Sequence, residues 1–453
     1  MQSQRAVREQ QCDVVVIGAG AAGLVAGTTL LGSADVLVLE ASDRPGGRVE
    51  SVRRGEYWLN IGTQFTEGVG PLFDVMDRYQ IQRHSLASRK AGLYLNGRIV
   101  TTHNPVSLLL GSRISLRARY ELARMGLRVK VAYARMFSKD RQIARKTRAA
   151  LDSAPGALLM EGVRTPEVTA LVNCWAGSWI GCDVDQTAAT QLYFSVGSAI
   201  EKAAKVPNFA LPVGGNQSFT DALAQDLGER LRLNAEVTQI RWSDDGVSVE
   251  YADADGPAVV NAKRAIVATP ADCALKVMPD LPADYRTALG DIQYGRYVVA
   301  GVFTDETGAQ RWDDYYGVSA PQLSFQMLFN HAAPLRNGPR KPGGAISLMS
   351  GGSLADELAA LSDDELKARF CKDLTTLFPE LEGHIEHVVI KRQPRVVSYW
   401  APGKREASQR TVRRPLGPIV FAGDYLGDPS LATAAASGQR AAEQTLQLLA
   451  SVS

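Results

Sequence analysis

Unbroken apolar runs and two distinct periodicities divide this chain. Hydrophobic residues run without interruption from Val14 to Ile17 in "DVVVIGAGAAGLVAGTTLL". A run of that kind predicts a strand buried on both faces of a parallel sheet. A helix of small residues follows, and "DVLVLE" predicts a second strand ending in Glu40. Further along, "AGLYLNGRIV" (Ala91 to Val100) and "EVTQIRWSDDGVSVEY" alternate and read as hairpins turned by Asn-Gly and Asp-Asp-Gly. From Leu108 to Ala150 the spacing is helical. "RYVVAGVFT", "LSFQMLFN" and "GGAISLMSGG" read as strands, and "SDDELKARFCKDLTTLF" as a capped amphipathic helix. A strand from Ile419 to Ala422 then precedes an Ala-rich helix beginning near Leu431. Strands at both chain ends with mixed elements between them predict an α/β fold.

The first strand and helix enclose Gly18, Gly20 and Gly23 in G-x-G-x-x-G spacing. Gly18 permits a tight turn, Gly20 lets the backbone approach a pyrophosphate, and Gly23 lets helix and strand pack closely. The helix N-terminus then presents N–H groups to the phosphates. Glu40 comes 22 residues after Gly18, where a carboxylate accepts from a ribose and disfavours a 2′-phosphate, which argues against NADP. Just beyond it, "RPGGR" sets Gly46 and Gly47 beside Arg48. A guanidinium delivered to the same pyrophosphate is a second clamp. Plain NAD dehydrogenases do not need one, whereas a permanently bound FAD benefits from it; the alternative is a surface turn with solvated arginines.

"VVVIGAGAAGL…VLVLEASDRPGGR" resembles the N-terminal flavin signature of the flavin amine oxidase superfamily, which includes monoamine and polyamine oxidases, protoporphyrinogen oxidase and phytoene desaturases. The similarity continues at "WLNIGTQF", where Gly62 and Thr63 match a segment lying against the flavin and Asn60 replaces a usual aspartate. "LPVGGNQSFTDALAQDLG" is similar to the family's Gly-Gly helix, and "RAIVATP" to the strand and turn leading back to the cofactor. In relatives the backbone matching Val237 holds the adenine. At "GPIVFAGDYLGDPSLATAAASGQRAAEQTL" the resemblance implies that Gly423 and Asp424 end a strand, with Asp424 bonded to a ribityl or pyrophosphate oxygen. The last helix would point its N-terminus, through Thr433 and Ala434, at the flavin pyrimidine, stabilising the negative charge of reduction. Relatives often read Glu-Gly-Ala where this chain has Ala432, Thr433 and Ala434.

The resemblance implies a discontinuous Rossmann-like FAD-binding domain over 10–85, 211–290 and 390–453, with an inserted mixed α+β substrate domain over 86–210 and 291–389. It also implies non-covalent FAD, because no Gly-Gly-Cys precedes the final motif. The expected chemistry is hydride removal from a small hydrophobic substrate, an amine C–N bond becoming an imine, with O2 as acceptor and hydrogen peroxide as product. A C–C dehydrogenase acting on a polyisoprenoid or tetrapyrrole-like molecule is the alternative, and a flavin-stabilised binding protein without turnover is the rival. Many family amine oxidases place a lysine near the flavin on the strand matching "IQYGRYVVAGVFT"; Val299 stands there, with Arg296 three residues earlier, which moves weight toward the alternative. Trp400 matches an aromatic position facing the flavin and is the candidate catalytic residue, the other reading being a core tryptophan. Trp175 and Trp179, four apart on one helix face, read as core before pocket.

Composition narrows the rest. A length of 453 residues implies two or more domains, and 45% hydrophobic with 22% charged residues excludes a disordered or fibrous chain. Cys12, Cys174, Cys182, Cys273 and Cys371 form no C-x-x-C pair, which argues against a disulfide scaffold or zinc site. His384 and His387 sit three apart on a predicted strand, facing opposite ways, so no metal is expected. "MQSQRAVREQQC" lacks the apolar stretch of a secretory signal, and no apolar run approaches the ~20 residues of a membrane span. A cytoplasmic location is therefore expected. Net charge is +2, yet 113–148 carries twelve Lys/Arg against Glu121 and Asp140. Three readings stand for that segment: a solvated basic face, peripheral contact with an anionic membrane, or an anionic substrate or partner. Nucleic-acid binding has no fold signature here.

Overall fold

The computed structural model describes residues 8–67, 70–86, 89–101, 113–203, 209–336 and 339–450. Its fold is mixed α/β. The apolar run at the N-terminus becomes the strand Arg8–Ile17, central in a seven-stranded sheet. Leu231–Arg232, Val36–Leu39, Arg8–Ile17 and Gly256–Val267 lie parallel in that order, and Ile419–Phe421 pairs parallel with the far end of Gly256–Val267. The hairpin Glu236–Ser243 and Gly246–Asp253 extends the same sheet antiparallel. Val14, Val15 and Val16 are fully buried because helices cover one face and a second apolar cluster covers the other. The helix Ala21–Leu30 packs on the last helix, Leu431–Ala450, so closely that a Cβ on Gly438 would lie 2.1 Å from the Ala22 carbonyl oxygen. Small residues in both helices are what permit that approach.

A second seven-stranded sheet runs in the order Ile385–Gln393, Tyr297–Thr304, Gly344–Gly351, Met327–Asn330, Tyr315–Ser319, Lys90–Leu95, Arg98–Thr101. Its pairs are antiparallel except Tyr315–Ser319 with Lys90–Leu95. The hairpin of the last two strands turns at Asn96 (φ 51°) and Gly97 (φ 78°), the left-handed pair that an Asn-Gly turn supplies. One face of this sheet packs on the helix Asp363–Leu377, whose Ser362 and Glu365 form the expected capping box. "LSFQMLFN" forms a strand only over Met327–Asn330.

The predicted helix from Leu108 to Ala150 is two helices, Leu116–Met136 and Arg141–Asp152. Asp140 breaks it by accepting from the backbone N–H of Gln142 and Ile143, as an N-cap does. Residues 108–112 of that prediction lie outside the described residues. With Pro166–Ile180 and Ala189–Ala203 these helices form a layer over the second sheet. No described helix is long and apolar enough to cross a membrane.

Candidate active site

The parallel strands all deliver their C-terminal ends to one edge, and in open α/β sheets ligands bind outside that edge. Ile17 leads into Gly18, Leu39 into Glu40, Val267 into Ala268 and Phe421 into the Gly423–Asp424 turn. Ile17, Gly18, Leu39, Glu40, Ala268, Gly423 and Asp424 line one cavity of about 2270 Å³. Ordinary small-molecule sites occupy roughly 300–1,000 Å³, so this one has room for a large cofactor and a substrate together.

At the first turn, Gly18 takes φ +97°, which only glycine adopts without strain. A Cβ on Gly23 would sit 1.8 Å from the Gly18 carbonyl oxygen, so helix and strand could not approach with any larger residue. A Cβ on Gly20 would meet nothing within 4 Å, since Gly20 faces the cavity. Glu40 lies beside it: its Oε2 accepts from the Ala19 N–H at 2.7 Å, and its Oε1 from the Ser42 N–H and hydroxyl.

The two glycines of "RPGGR" pass close to the first glycine turn. Gly46 N–H donates to the Ala19 carbonyl at 2.8 Å, and Gly46 and Gly47 take φ of 103° and 55°. That crossing aims Arg48 across the cavity at Asp424, 376 residues away in sequence. The contact is a two-pronged ion pair, Nη1 to Oδ2 at 2.9 Å and Nη2 to Oδ1 at 2.8 Å, with Nη1 also donating to the Val396 carbonyl. The Asp424 carboxylate holds the guanidinium proton more tightly than usual, outweighing burial. The Tyr294 ring lies 5.7 Å beneath the guanidinium, and burial pushes its hydroxyl upward.

Other predicted residues gather here too. A Cβ on Gly62 would lie 2.1 Å from the Arg48 carbonyl oxygen, and Thr63 N–H donates to that same carbonyl at 3.2 Å. Val237 lines the wall at a bulge in its hairpin strand. The last helix opens on the cavity through Leu431, Ala432, Thr433 and Ala434. Ser430 caps it by accepting from the Thr433 N–H, while Thr433 Oγ1 donates to the Asp428 carbonyl. Two helix N-termini, those of Ala21–Leu30 and Leu431–Ala450, therefore face the same space and favour negative charge in it.

The Asn60 departure has a local reason. Asn60 is fully buried, and its Nδ2 donates to the Gln64 carbonyl at 2.8 Å while its Oδ1 accepts from Ser51 and Asn216. A carboxylate could not make the first of these bonds.

Trp400 is not brought to the cavity. It sits 1% exposed in the core beneath the first sheet, under Arg405 at 5.4 Å, because Ser398–Trp400 pairs with Ile292–Tyr294 and turns the ring inward. Val396 and Val397 take the wall position instead. Val299 is fully buried in the second sheet, and Arg296 is ion-paired to Asp356, so neither faces the cavity. Trp175 and Trp179 do line it, stacked at 5.0 Å, which overturns the expectation of core packing. They begin a chain of rings: Trp179 meets Phe65 at 5.8 Å, and Phe65 meets Phe209 at 4.6 Å and Phe329 at 6.1 Å. Tyr316 continues it, bonded through its hydroxyl to the Gln64 carbonyl at 2.9 Å. Behind them His331 is fully buried, with Nε2 3.2 Å from Gln64 Oε1, and burial pulls its pKa down to about 3. It is a neutral support for Gln64.

Sequence reasoning missed these residues and Lys391, which lines the cavity opposite Val299 with its Nζ 2.9 Å from Glu50. "WLNIGTQF" did carry a signal in Gln64 and Phe65. Phe209, Tyr316 and Phe329 stand in unremarkable strands.

The model for flavin containing amine oxidoreductases matches residues 21–446. The chain belongs to this family. Amine oxidase [flavin-containing] A of Bos taurus is 25% identical, covering 98% of this chain and 86% of the relative. Among solved structures, putrescine oxidase bound to putrescine superposes with a TM-score of 0.78 at 21% identity, over 97% of this chain and 100% of that one. Cyclohexylamine oxidase from Brevibacterium oxydans IH-35A superposes at 0.79 and 19% identity, over 97% and 99%. These likenesses are of fold. As a member of the family the chain is an FAD-dependent oxidoreductase, and the open face of Gly20, the two helix N-termini and the cavity volume all fit that cofactor.

Proposed function

We propose that this enzyme oxidises the C–N bond of a hydrophobic monoamine. The organisation that supports it is a Rossmann-like FAD domain built from 10–85, 211–290 and 390–453, with a substrate domain from 86–210 and 291–389. Gly18, Gly20 and Gly23 shape the pyrophosphate turn, Glu40 takes the ribose, and the Val237 backbone takes the adenine. Arg48 and Asp424 lock the loop and the C-terminal turn around the centre of the cofactor. Gly62, Thr63, Gly423, Thr433 and Ala434 wall the flavin end. Attachment is non-covalent: of the cysteines lining the cavity, Cys174 is kept a thiol by burial, its pKa pushed up to about 12, and Cys273 is likewise raised.

When bound, FAD would supply a two-electron acceptor: hydrogen would leave the substrate carbon with the C–H electron pair, the amine nitrogen would lose a proton to give the imine, and O2 would then take up two electrons and two protons to become hydrogen peroxide. The protein's own part is to exclude water and position the amine with the aromatic walls of Phe65, Trp175, Trp179, Phe209, Tyr316 and Phe329. A desolvated wall of this kind favours the neutral amine, the form that can lose hydride.

The observation that carries the substrate class is a charge distribution. Every acidic residue lining the cavity (Glu40, Glu50, Glu236, Asp424, Asp428) belongs to the segments of the first sheet and its loops, and none described lies among the aromatic rings. A second ammonium, such as a diamine carries, finds no carboxylate there and would be buried unpaired. Oxygen uptake with peroxide detection tests this, comparing an arylalkyl monoamine with putrescine. The expected ratio of kcat/KM is at least about 100-fold in favour of the monoamine, because an unpaired charge is rejected far more strongly than a missing methylene. Equal turnover of both contradicts the proposal. Val299 at the lysine position favours one second reading, C–C dehydrogenation of a greasy substrate. It would be supported if no amine supports oxygen uptake while a polyisoprenoid or reduced tetrapyrrole does.

A further inference from the structure

Six of the seven large hydrophobics exposed among the described residues fall between 116 and 143: Leu116, Tyr120, Leu127, Val131, Phe137 and Ile143. Scattered exposed leucines need no explanation, but these are not scattered. Leu116, Tyr120, Leu127 and Val131 are spaced to share one face of the helix Leu116–Met136, and Leu116 is 81% exposed. That helix buries its opposite face, at Ala118, Met125 and Val129, in the protein. Both faces are therefore apolar, and only one has a partner among the described residues.

Within 113–148 the exposed charge is mostly of one sign, with Glu161 set against Arg128 at 2.9 Å beside it. Of the two acids in 113–148, Glu121 is turned inward, 4% exposed, accepting from Thr165, Arg164 and Arg117. Asp140 is used to cap the next helix. Ten of the twelve Lys and Arg in this segment are exposed. The stripe also borders the cavity: Leu127 and Lys130 are exposed and line it as well.

We propose that this face docks on the surface of a bilayer carrying anionic lipid. An apolar stripe flanked by Lys and Arg is the pattern of a helix lying in the interfacial plane, and polybasic segments are drawn to anionic headgroups. No described helix is long and apolar enough to span, so the contact is peripheral. A second copy of the chain is a poorer occupant, because a two-fold interface would set the same cations against each other. Docking turns the cavity stretch at Leu127 and Lys130 toward the lipid. An apolar amine dissolved there would enter without crossing bulk water, a consequence that rests on the amine reading above.

Co-sedimentation of the FAD-loaded full chain with vesicles tests this and reads no turnover, so it stands or falls separately from the amine reading. Binding is expected to vesicles of equal parts phosphatidylglycerol and phosphatidylcholine, to weaken in high salt, and to be far lower with phosphatidylcholine alone. Each cation near an anionic surface is worth roughly fivefold in binding, so neutralising Lys139→Gln, Arg141→Gln and Arg145→Gln together should cost about a hundredfold. Replacing Leu116→Ser, Tyr120→Ser and Val131→Ser should also abolish sedimentation. Flavin content and gel-filtration volume check that both triples are folded. Absence of binding to the anionic vesicles, equal binding to the neutral ones, or retention by either folded triple overturns the proposal. So does a solution dimer that the apolar triple dissociates.

Discussion

Removing the Arg48 side chain isolates the most consequential contact in the molecule. Asp424 is about 8% exposed as a side chain, and both of its carboxylate oxygens are taken by Arg48, at 2.8 and 2.9 Å. Arg48→Met leaves that carboxylate in the wall without its cation. Breaking a fully buried pair from one side costs about 3–5 kcal/mol, much of it the penalty on the stranded charge; with the Arg48 side chain 35% exposed, the lower end, about 3 kcal/mol, is expected. Asp424→Asn in the same chain removes the charge that was stranded, so the double variant should recover most of the loss. The cycle should therefore return a coupling of about 2–4 kcal/mol, well above the few tenths expected of independent sites. Denaturant unfolding of the apoprotein, followed by tryptophan fluorescence and read from the first transition, measures stability, while FAD fluorescence on reconstitution measures affinity. Both should fall in Arg48→Met and partly recover in the double variant. A single variant within about 0.5 kcal/mol of the parent, or strictly additive effects, would refute the idea that this pair bolts the two chain ends together.

Three smaller tests separate fold from function. Gly20→Ala places a methyl in open cavity space at an ordinary backbone conformation, so apoprotein stability should hold within about 0.5 kcal/mol while FAD affinity drops at least about tenfold; equal affinity would mean no cofactor approaches that turn. Burial holds the folded His331 pKa near about 3, against 6.5 unfolded, so only the unfolded chain binds this proton between those values. Stability is then intact above pH 6.5 and lost as pH falls, and relative to His331→Gln the parent should lose about 1 kcal/mol between pH 6 and pH 5. Parallel curves for the two would remove the buried neutral imidazole. Trp179→Ala should raise KM about tenfold or more with kcat little changed, as for a wall that holds substrate and transition state alike; a fall in kcat alone would assign it elsewhere.

The cofactor end was legible because its chemistry is written in backbone constraints. Glycine at 18 and 23 has no substitute where φ is +97° or a carbonyl lies 1.8 Å from a Cβ, and such constraints survive in a single sequence. Arg48 and Asp424 were each singled out, yet their pairing was not, since nothing local joins residues 376 apart. The substrate end was largely hidden. Its rings come from five separate stretches, and an aromatic in a strand looks the same whether it packs in a core or lines a cavity. Trp400 and the Trp175–Trp179 pair show the exchange: alternation sets which face a side chain takes, but only the tertiary packing says what lies on that face. The long basic helix split at Asp140 because a cap outweighs helical spacing.

Anaerobic mixing of the purified enzyme with an excess of an arylalkyl monoamine tests the central claim most directly, since it isolates transfer of the substrate's electrons from any later step. Loss of the oxidised-flavin absorbance, one amine oxidised per flavin, with recovery of the yellow colour on admitting air, is the predicted result. Protein that carries its full complement of FAD and keeps that absorbance with every monoamine offered would contradict it.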